Sequence, residues 1–150
     1  MYNKKVMSHF LHPHNMGEIK NADGIGKAGN IVCGDVMQIF LKIEKDTIKD
    51  IKFRTLGCAA AIATSSVATD LAKGKKINQA LKIKDEDIIK KLGDLPSIKL
   101  HCSLLSVKAL REAIYNYLSK NKLPIPKELE SVHKKNKKEL SIAKKKHGKE

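Results

Sequence analysis

The chain has 150 residues, 41% of them hydrophobic, 4% aromatic and 31% charged, with a net charge of +14. That length and apolar content suit one domain with an ordinary core and exclude disorder throughout. The apolar stretches fall short of the ~20 residues a membrane span needs, and Met1-Tyr2-Asn3-Lys4-Lys5 leads into His9, His12 and His14 rather than an apolar signal region. A soluble, cytoplasmic protein with no membrane partner is expected.

Residues 2 to 11 carry Tyr2, Val6, Phe10 and Leu11 at near-helical spacing, and His12-Pro13 ends the pattern, because the residue before proline is pushed out of the helical region. A short helix is predicted there. Residues 15 to 30 hold Gly17, Gly24, Gly26 and Gly29 among Asn and Asp, which is loop composition, with a short strand signal at 28 to 32. From Val36 to Ile43 the residues Met37, Ile39, Leu41 and Ile43 alternate with Gln38 and Lys42, and after Lys45-Asp46-Thr47 the residues Ile51 and Phe53 alternate with Asp50, Lys52 and Arg54. Period-two patterns joined by a short polar turn predict an antiparallel hairpin.

Ala59 to Lys73 is alanine-rich and ends at Gly74, which predicts a helix whose small side chains permit close packing. Shorter helical patterns follow at 76 to 81 and 85 to 92, the second opened by Asp85-Glu86-Asp87 at the end of a helix that favours negative charge and closed by Gly93. From Ser103 to Leu118 the residues Leu104, Val107, Leu110, Ile114 and Tyr117 form one stripe, the mark of an amphipathic helix with that stripe in the core.

Pro124 and Pro126 close the main unit, so residues 1–126 read as the domain and 127–150 as a basic tail. The tail has Leu129, Val132, Leu140 and Ile142 but no sustained stripe, so it reads as disordered or at most a frayed, partner-dependent helix. Nine Lys against four Glu give it +5, and the remaining +9 is spread among acids such as Asp85 and Glu86. No aromatic residue interleaves the basic runs, so the stacking platform of a single-strand binder is missing and no specific nucleic-acid binding is expected.

Three cysteines, Cys33, Cys58 and Cys102, stand far apart with neither CxxC nor disulfide-like spacing, which excludes the common zinc finger. A lone cysteine usually packs as a small hydrophobe. Cys58 and Cys102, however, each precede a predicted helix, where unpaired N–H groups and the helix dipole favour a thiolate. Cys33 is followed by Gly34 and Asp35, which puts an oxygen ligand or proton acceptor near sulfur, and His101 adds an imidazole beside Cys102. Three thiolates with one nitrogen or oxygen ligand suit tetrahedral zinc or an iron-sulfur cluster equally by spacing, and a Cys102-His101 thiol enzyme is a third reading. His12 and His14, flanking Pro13, together with His133 and His147 in the tail, read as solvated imidazoles.

Three motifs resemble the IscU and NifU N-terminal family of iron-sulfur cluster assembly scaffolds: Cys33-Gly34-Asp35-Val36-Met37, Lys52-Phe53-Arg54-Thr55-Leu56-Gly57-Cys58-Ala59-Ala60-Ala61-Ile62-Ala63-Thr64-Ser65-Ser66 and Lys99-Leu100-His101-Cys102-Ser103. His12-Pro13-His14-Asn15-Met16-Gly17 is similar to the family's N-terminal loop, and the resemblance covers roughly residues 2 to 120. It implies an α+β fold, a small three-stranded antiparallel sheet with helices packed on one face. It also implies a noncatalytic scaffold that accepts sulfur from a cysteine desulfurase as a persulfide, takes up iron, and passes a transient [2Fe-2S] cluster to apo iron-sulfur proteins. An electron donor such as ferredoxin is implied as a further partner, and a homo-oligomer is compatible with it.

By the matching motifs, Cys33, Cys58 and Cys102 would be cluster ligands, Cys102 the persulfide acceptor, and Asp35 and His101 the remaining ligands, with Asp35 tuning release. The same site would bind zinc, and a zinc protein with a structural or regulatory site is the alternative function. Lys99 lies near enough in sequence to support a thiolate there. Leu95-Pro96-Ser97-Ile98-Lys99 departs from the family's Leu-Pro-Pro-Val-Lys chaperone motif and leaves chaperone dependence open, and no cysteine follows Cys102 to build the extra domains of the multidomain relatives.

Overall fold

The computed structural model of the chain describes residues 3–29, 35–93 and 101–146, without the side chains of 101–102, 139–140 and 143–146. The element order is α1 (Lys4–Leu11), β1 (Gly24–Gly29), β2 (Val36–Glu44), β3 (Thr47–Thr55), α2 (Ala59–Ala72), α3 (Ile77–Ala80), α4 (Asp85–Leu92), α5 (His101–Lys120) and α6 (Lys127–Lys146). The strands form one antiparallel sheet in the order β1-β2-β3. The fold is α+β, as expected.

The predicted hairpin is present, with Met37 opposite Thr55 and Ile39 opposite Phe53. Lys45 and Asp46 at its tip both take positive φ, 51° and 62°, the twist that a two-residue connection between right-twisted strands requires. The first strand differs from the expectation. It spans Gly24–Gly29 instead of 28 to 32, of which 30 to 32 lie outside the described residues. Gly24 and Gly26, which read as loop composition, are strand residues facing α5. A Cβ on Gly26 would stand 2.1 Å from Ala113 N and 2.5 Å from Ala109 O, and one on Gly24 would stand 2.4 Å from Ala113 O. They are there to let a helix backbone come down onto a strand backbone.

Met37, Ile39, Leu41, Ile51 and Phe53 all point to one face and are fully buried beneath α2 and α5. A second, smaller cluster of Val6, Ala63, Val67, Ala68, Ile88, Leu92 and Val107 joins α1 and α4 to the outer side of those two helices. Because α2 lies between the sheet and this outer layer, it is buried almost all round, and its buried residues are alanine, serine and threonine apart from Val67. Its hydroxyls find partners at short range: Ser65 Oγ and Thr64 Oγ1 lie 3.1 and 3.2 Å from Ser106 Oγ on α5, as buried polar groups require.

Of the stripe predicted on α5, Val107, Leu110 and Ile114 are in the core and Tyr117 packs against it, but Leu104 is not. Leu104 is 44% exposed, while Leu105, Val107, Ala109, Leu110, Ala113, Ile114 and Leu118 are buried. Alanines at 109 and 113 carry the sheet contact, and a search for large apolar residues passes over them.

Residues 127–146, read from sequence as lacking a stripe, are helical and docked. Leu129 and Asn136 of α6 are buried against the domain, and Lys134, Lys135, Lys137 and Lys138 face solvent. Both sheet edges have backbone groups engaged from outside the sheet, by α5 and α6 at β1 and by the N-terminal loop at β3, which blunts their tendency to pair with other chains. On β1, Asn116 Oδ1 accepts from Ile25 N–H at 2.9 Å and Asn136 Nδ2 donates to Lys27 O at 2.9 Å. On β3, Phe53 N–H donates to Asn15 O and Gly17 N–H to Phe53 O.

Candidate functional site

The antiparallel order decides which element ends share one end of the sheet. Gly29 at the end of β1 lies opposite Val36 at the start of β2, and Thr55 at the end of β3 lies opposite Met37. One end of the sheet therefore carries the end of β1, the start of β2 and, just beyond β3, the start of α2. Gly24 touches α5 at Ala113 and Tyr117, whereas Gly26 touches it at Ala109 and Ala113, so α5 runs antiparallel to β1. Its first residues, His101 and Cys102, open the helix at the same end of the sheet.

Cys58 is the N-cap residue of α2, half-buried at the margin of the core, with extended backbone at φ −76° and ψ 179° and its carbonyl accepting the first helical bond from Ile62 N–H. Asp35, immediately before β2, is brought to it by a local network. Thr55 Oγ1 donates to Val36 O at 3.0 Å and accepts from Gly57 N–H at 2.9 Å, fastening the Asp35-Val36 entry to the Gly57-Cys58 turn. Asp35 Oδ2 then lies over Gly57, where a Cβ would stand 3.1 Å from it and 2.7 Å from Ala61 Cβ. A side chain at Gly57 would separate the carboxylate from the cysteine turn.

Two of the predicted site residues, Asp35 and Cys58, are thus placed together by described contacts. His101 and Cys102 are the first two residues of α5 rather than its forerunners, and no more than their backbone is described. Cys33, Gly34 and the Leu95-Pro96-Ser97-Ile98-Lys99 segment, including Lys99, lie outside the described residues. Sequence reasoning gave no role here to Leu56 and assigned Leu104 to the core. Leu56 is 96% exposed two residues before Cys58, and Leu104 is the exposed residue two after Cys102. Large apolar side chains left in water beside candidate ligands are a mark of a docking surface.

The histidines differ from the solvated picture. His14 Nδ1 lies 2.6 Å from Asp70 Oδ2, and His133 is stacked on Tyr115 with ring centroids 3.8 Å apart and its Nδ1 2.6 Å from Glu112 Oε1. His12 is exposed, and His147 lies outside the described residues. Among the described residues no helix is long and apolar enough to cross a membrane.

Comparison with known proteins agrees with this geometry. Residues 1–124 match the family model described as NifU-like N terminal domain. An Archaeoglobus fulgidus protein named iron-sulfur cluster assembly scaffold protein IscU 1 is 52% identical over 141 residues, covering 89% of this chain and 92% of its own. A Debaryomyces hansenii protein named iron sulfur cluster assembly protein 1, mitochondrial, is 44% identical over 131 residues, covering 84% of this chain and 73% of its own. Among solved structures, a candidate SUF-system iron-sulfur cluster assembly scaffold from Fervidobacterium islandicum superposes with a TM-score of 0.65 at 25% identity, covering 75% of this chain and 96% of its own. The chain belongs to the NifU-like N-terminal domain family, whose match runs from the first residue through α5.

Proposed function

We propose that this protein is a scaffold for iron-sulfur cluster assembly, with the cluster as cargo held at the end of the sheet where the three cysteine segments converge. The observation that carries this reading is the fastening of Asp35 over the Gly57-Cys58 turn, in a chain whose relatives are named as scaffolds. Cys33, Cys58 and Cys102 supply thiolates, Asp35 an oxygen and His101 a nitrogen. A cage with only three thiolates holds a cluster less firmly than a full set of four, which suits a carrier that must let go.

In this scheme Cys102 accepts sulfur as a persulfide from a cysteine desulfurase, ferrous iron and an electron donor such as ferredoxin complete a [2Fe-2S] cluster, and apo-proteins receive it. The protein has no turnover of its own. Leu56 and Leu104 give the partners an apolar foothold beside the cargo. We place the protein in the cytoplasm, and zinc at the same ligands is its metal when iron is absent.

Anaerobic incubation of the full chain with ferrous iron, cysteine and a desulfurase tests the reading, with the visible spectrum and acid-labile sulfide as readouts. Failure of both to develop, in folded and zinc-free protein, would overturn it. Asp35→Ala is expected to lengthen cluster lifetime, and transfer to an apo-ferredoxin at the wild-type rate would contradict the role given to that carboxylate.

A further inference from the structure

His9 on α1, His14 in the loop that follows and Asp70 on α2 come from three separate segments, yet each offers a ligand atom within 4.8 Å of the other two. The His9 and His14 rings are 4.8 Å apart between centroids and inclined at 59°, so neither stacks on the other. We propose that these three side chains bind one divalent first-row transition-metal ion, at a site separate from the cysteine segments, and that the ion fastens α1 and its loop to α2.

Two imidazoles and a carboxylate are a donor set that suits zinc, iron(II) or nickel. What distinguishes this trio from a chance surface cluster is the hydrogen bonding behind it. Ser66 Oγ accepts from the His14 backbone N–H at 2.9 Å and lies 2.7 Å from His9 Nδ1, so one hydroxyl positions both histidines. Asn15 Nδ2 reaches Asp70 Oδ1 at 2.9 Å and Thr69 Oγ1 at 3.0 Å, which orients the carboxylate from its far oxygen. Groups that hold the ligands in this way are the usual second support of a metal site.

The remaining side of the trio faces water, since His14 is 55% and Asp70 44% exposed. An ion can therefore enter, and water fills its open positions. Tetrahedral zinc needs ligand atoms about 3.3 Å apart, so the widest separation, no more than 4.8 Å, has to close by at most about 1.5 Å. The His14–Asp70 contact at 2.6 Å is the one an incoming cation replaces.

Zinc titration into the full chain tests the site, with cobalt(II) as the optical probe, because thiolate-to-cobalt charge transfer reports the cysteine segments and leaves an imidazole-carboxylate site unmarked. Wild-type protein is expected to bind one more zinc per chain than His14→Ala or Asp70→Asn, while all three give the same thiolate band with cobalt. Affinity at the extra site is expected to fall about 100-fold or more in His14→Ala and about tenfold in Asn15→Ala, the range for losing a supporting group. Equal stoichiometry and affinity in wild type, His14→Ala and Asp70→Asn would overturn the proposal. So would loss of the thiolate band in either variant with circular dichroism unchanged, since the trio and the cysteines would then be one site.

Discussion

Helices α5 and α6 are each twenty residues long and both lie against the edge strand β1, yet they are held by opposite means. Helix α5 meets the strand backbone to backbone, with Ala109 and Ala113 over Gly24 and Gly26 and a row of buried apolar side chains behind them. Helix α6 is held by Leu129 and by a polar latch, in which Asn136 reaches Lys27 O and His133 lies between Tyr115 and Glu112. The first contact tolerates no added atom. The second tolerates many changes on its lysine face but depends on a few side chains.

The largest break is expected from Gly26→Ala. Its Cβ would fall 2.1 Å from Ala113 N, a backbone atom that cannot turn aside, so α5 must lift from the sheet at a loss of about 3 kcal/mol or more. Urea unfolding would measure it, and a loss under about 1 kcal/mol would show that the helix is not seated as tightly as described. The displacement also moves the start of α5, so cluster assembly on the folded variant should fall.

Asn136→Ala breaks the latch at one point and leaves the Lys27 carbonyl without that donor. About 1 to 2 kcal/mol is expected, accompanied by faster amide exchange in α6 with α5 unchanged. Equal protection in both helices would mean that the latch does not hold α6.

The smallest effect is a pH dependence. Burial pushes the Glu112 carboxyl above its ordinary 4.5, and the hydrogen bond and charge of His133 offset this only in part. Glu112 Oε2 and Asn136 Oδ1 are both buried acceptors with no hydrogen-bond partner among the described residues. A carboxyl raised in the folded state contributes stability that is present below 4.5 and lost as pH rises through the folded value. The stability of wild type relative to Glu112→Gln should therefore be greatest in acid and decline toward neutrality. A difference that stays flat with pH would show that burial does not govern this carboxyl.

The hairpin, the alanine-rich helix and the three cysteine motifs were legible because each is local: period two in Val36 to Ile43, small side chains from Ala59 onward, and ligand types in short runs. Strand β1 was not, because Gly24 and Gly26 lack the branched side chains that advertise a strand, and their purpose shows only once Ala113 lies over them. The buried face of α5 was legible at Val107, Leu110 and Ile114 but not at Ala109 and Ala113, for the related reason that alanine does the work of leucine where two backbones touch. The docking of helix α6 was not legible, because His133 reads as a solvated imidazole until Glu112 is set beside it and Asn136 carries no signal until Lys27 O is.

The sequence by itself determined the family, the antiparallel hairpin and the identity of the candidate ligands, since these rest on residue type and spacing along one segment. Tertiary structure alone decided that Asp35 lies over Gly57 beside Cys58, that α5 opens at that same end of the sheet, and that His9, His14 and Asp70 face one another. The reason is physical: such meetings depend on how closely whole elements can approach, and that distance is set jointly by residues far apart in the chain.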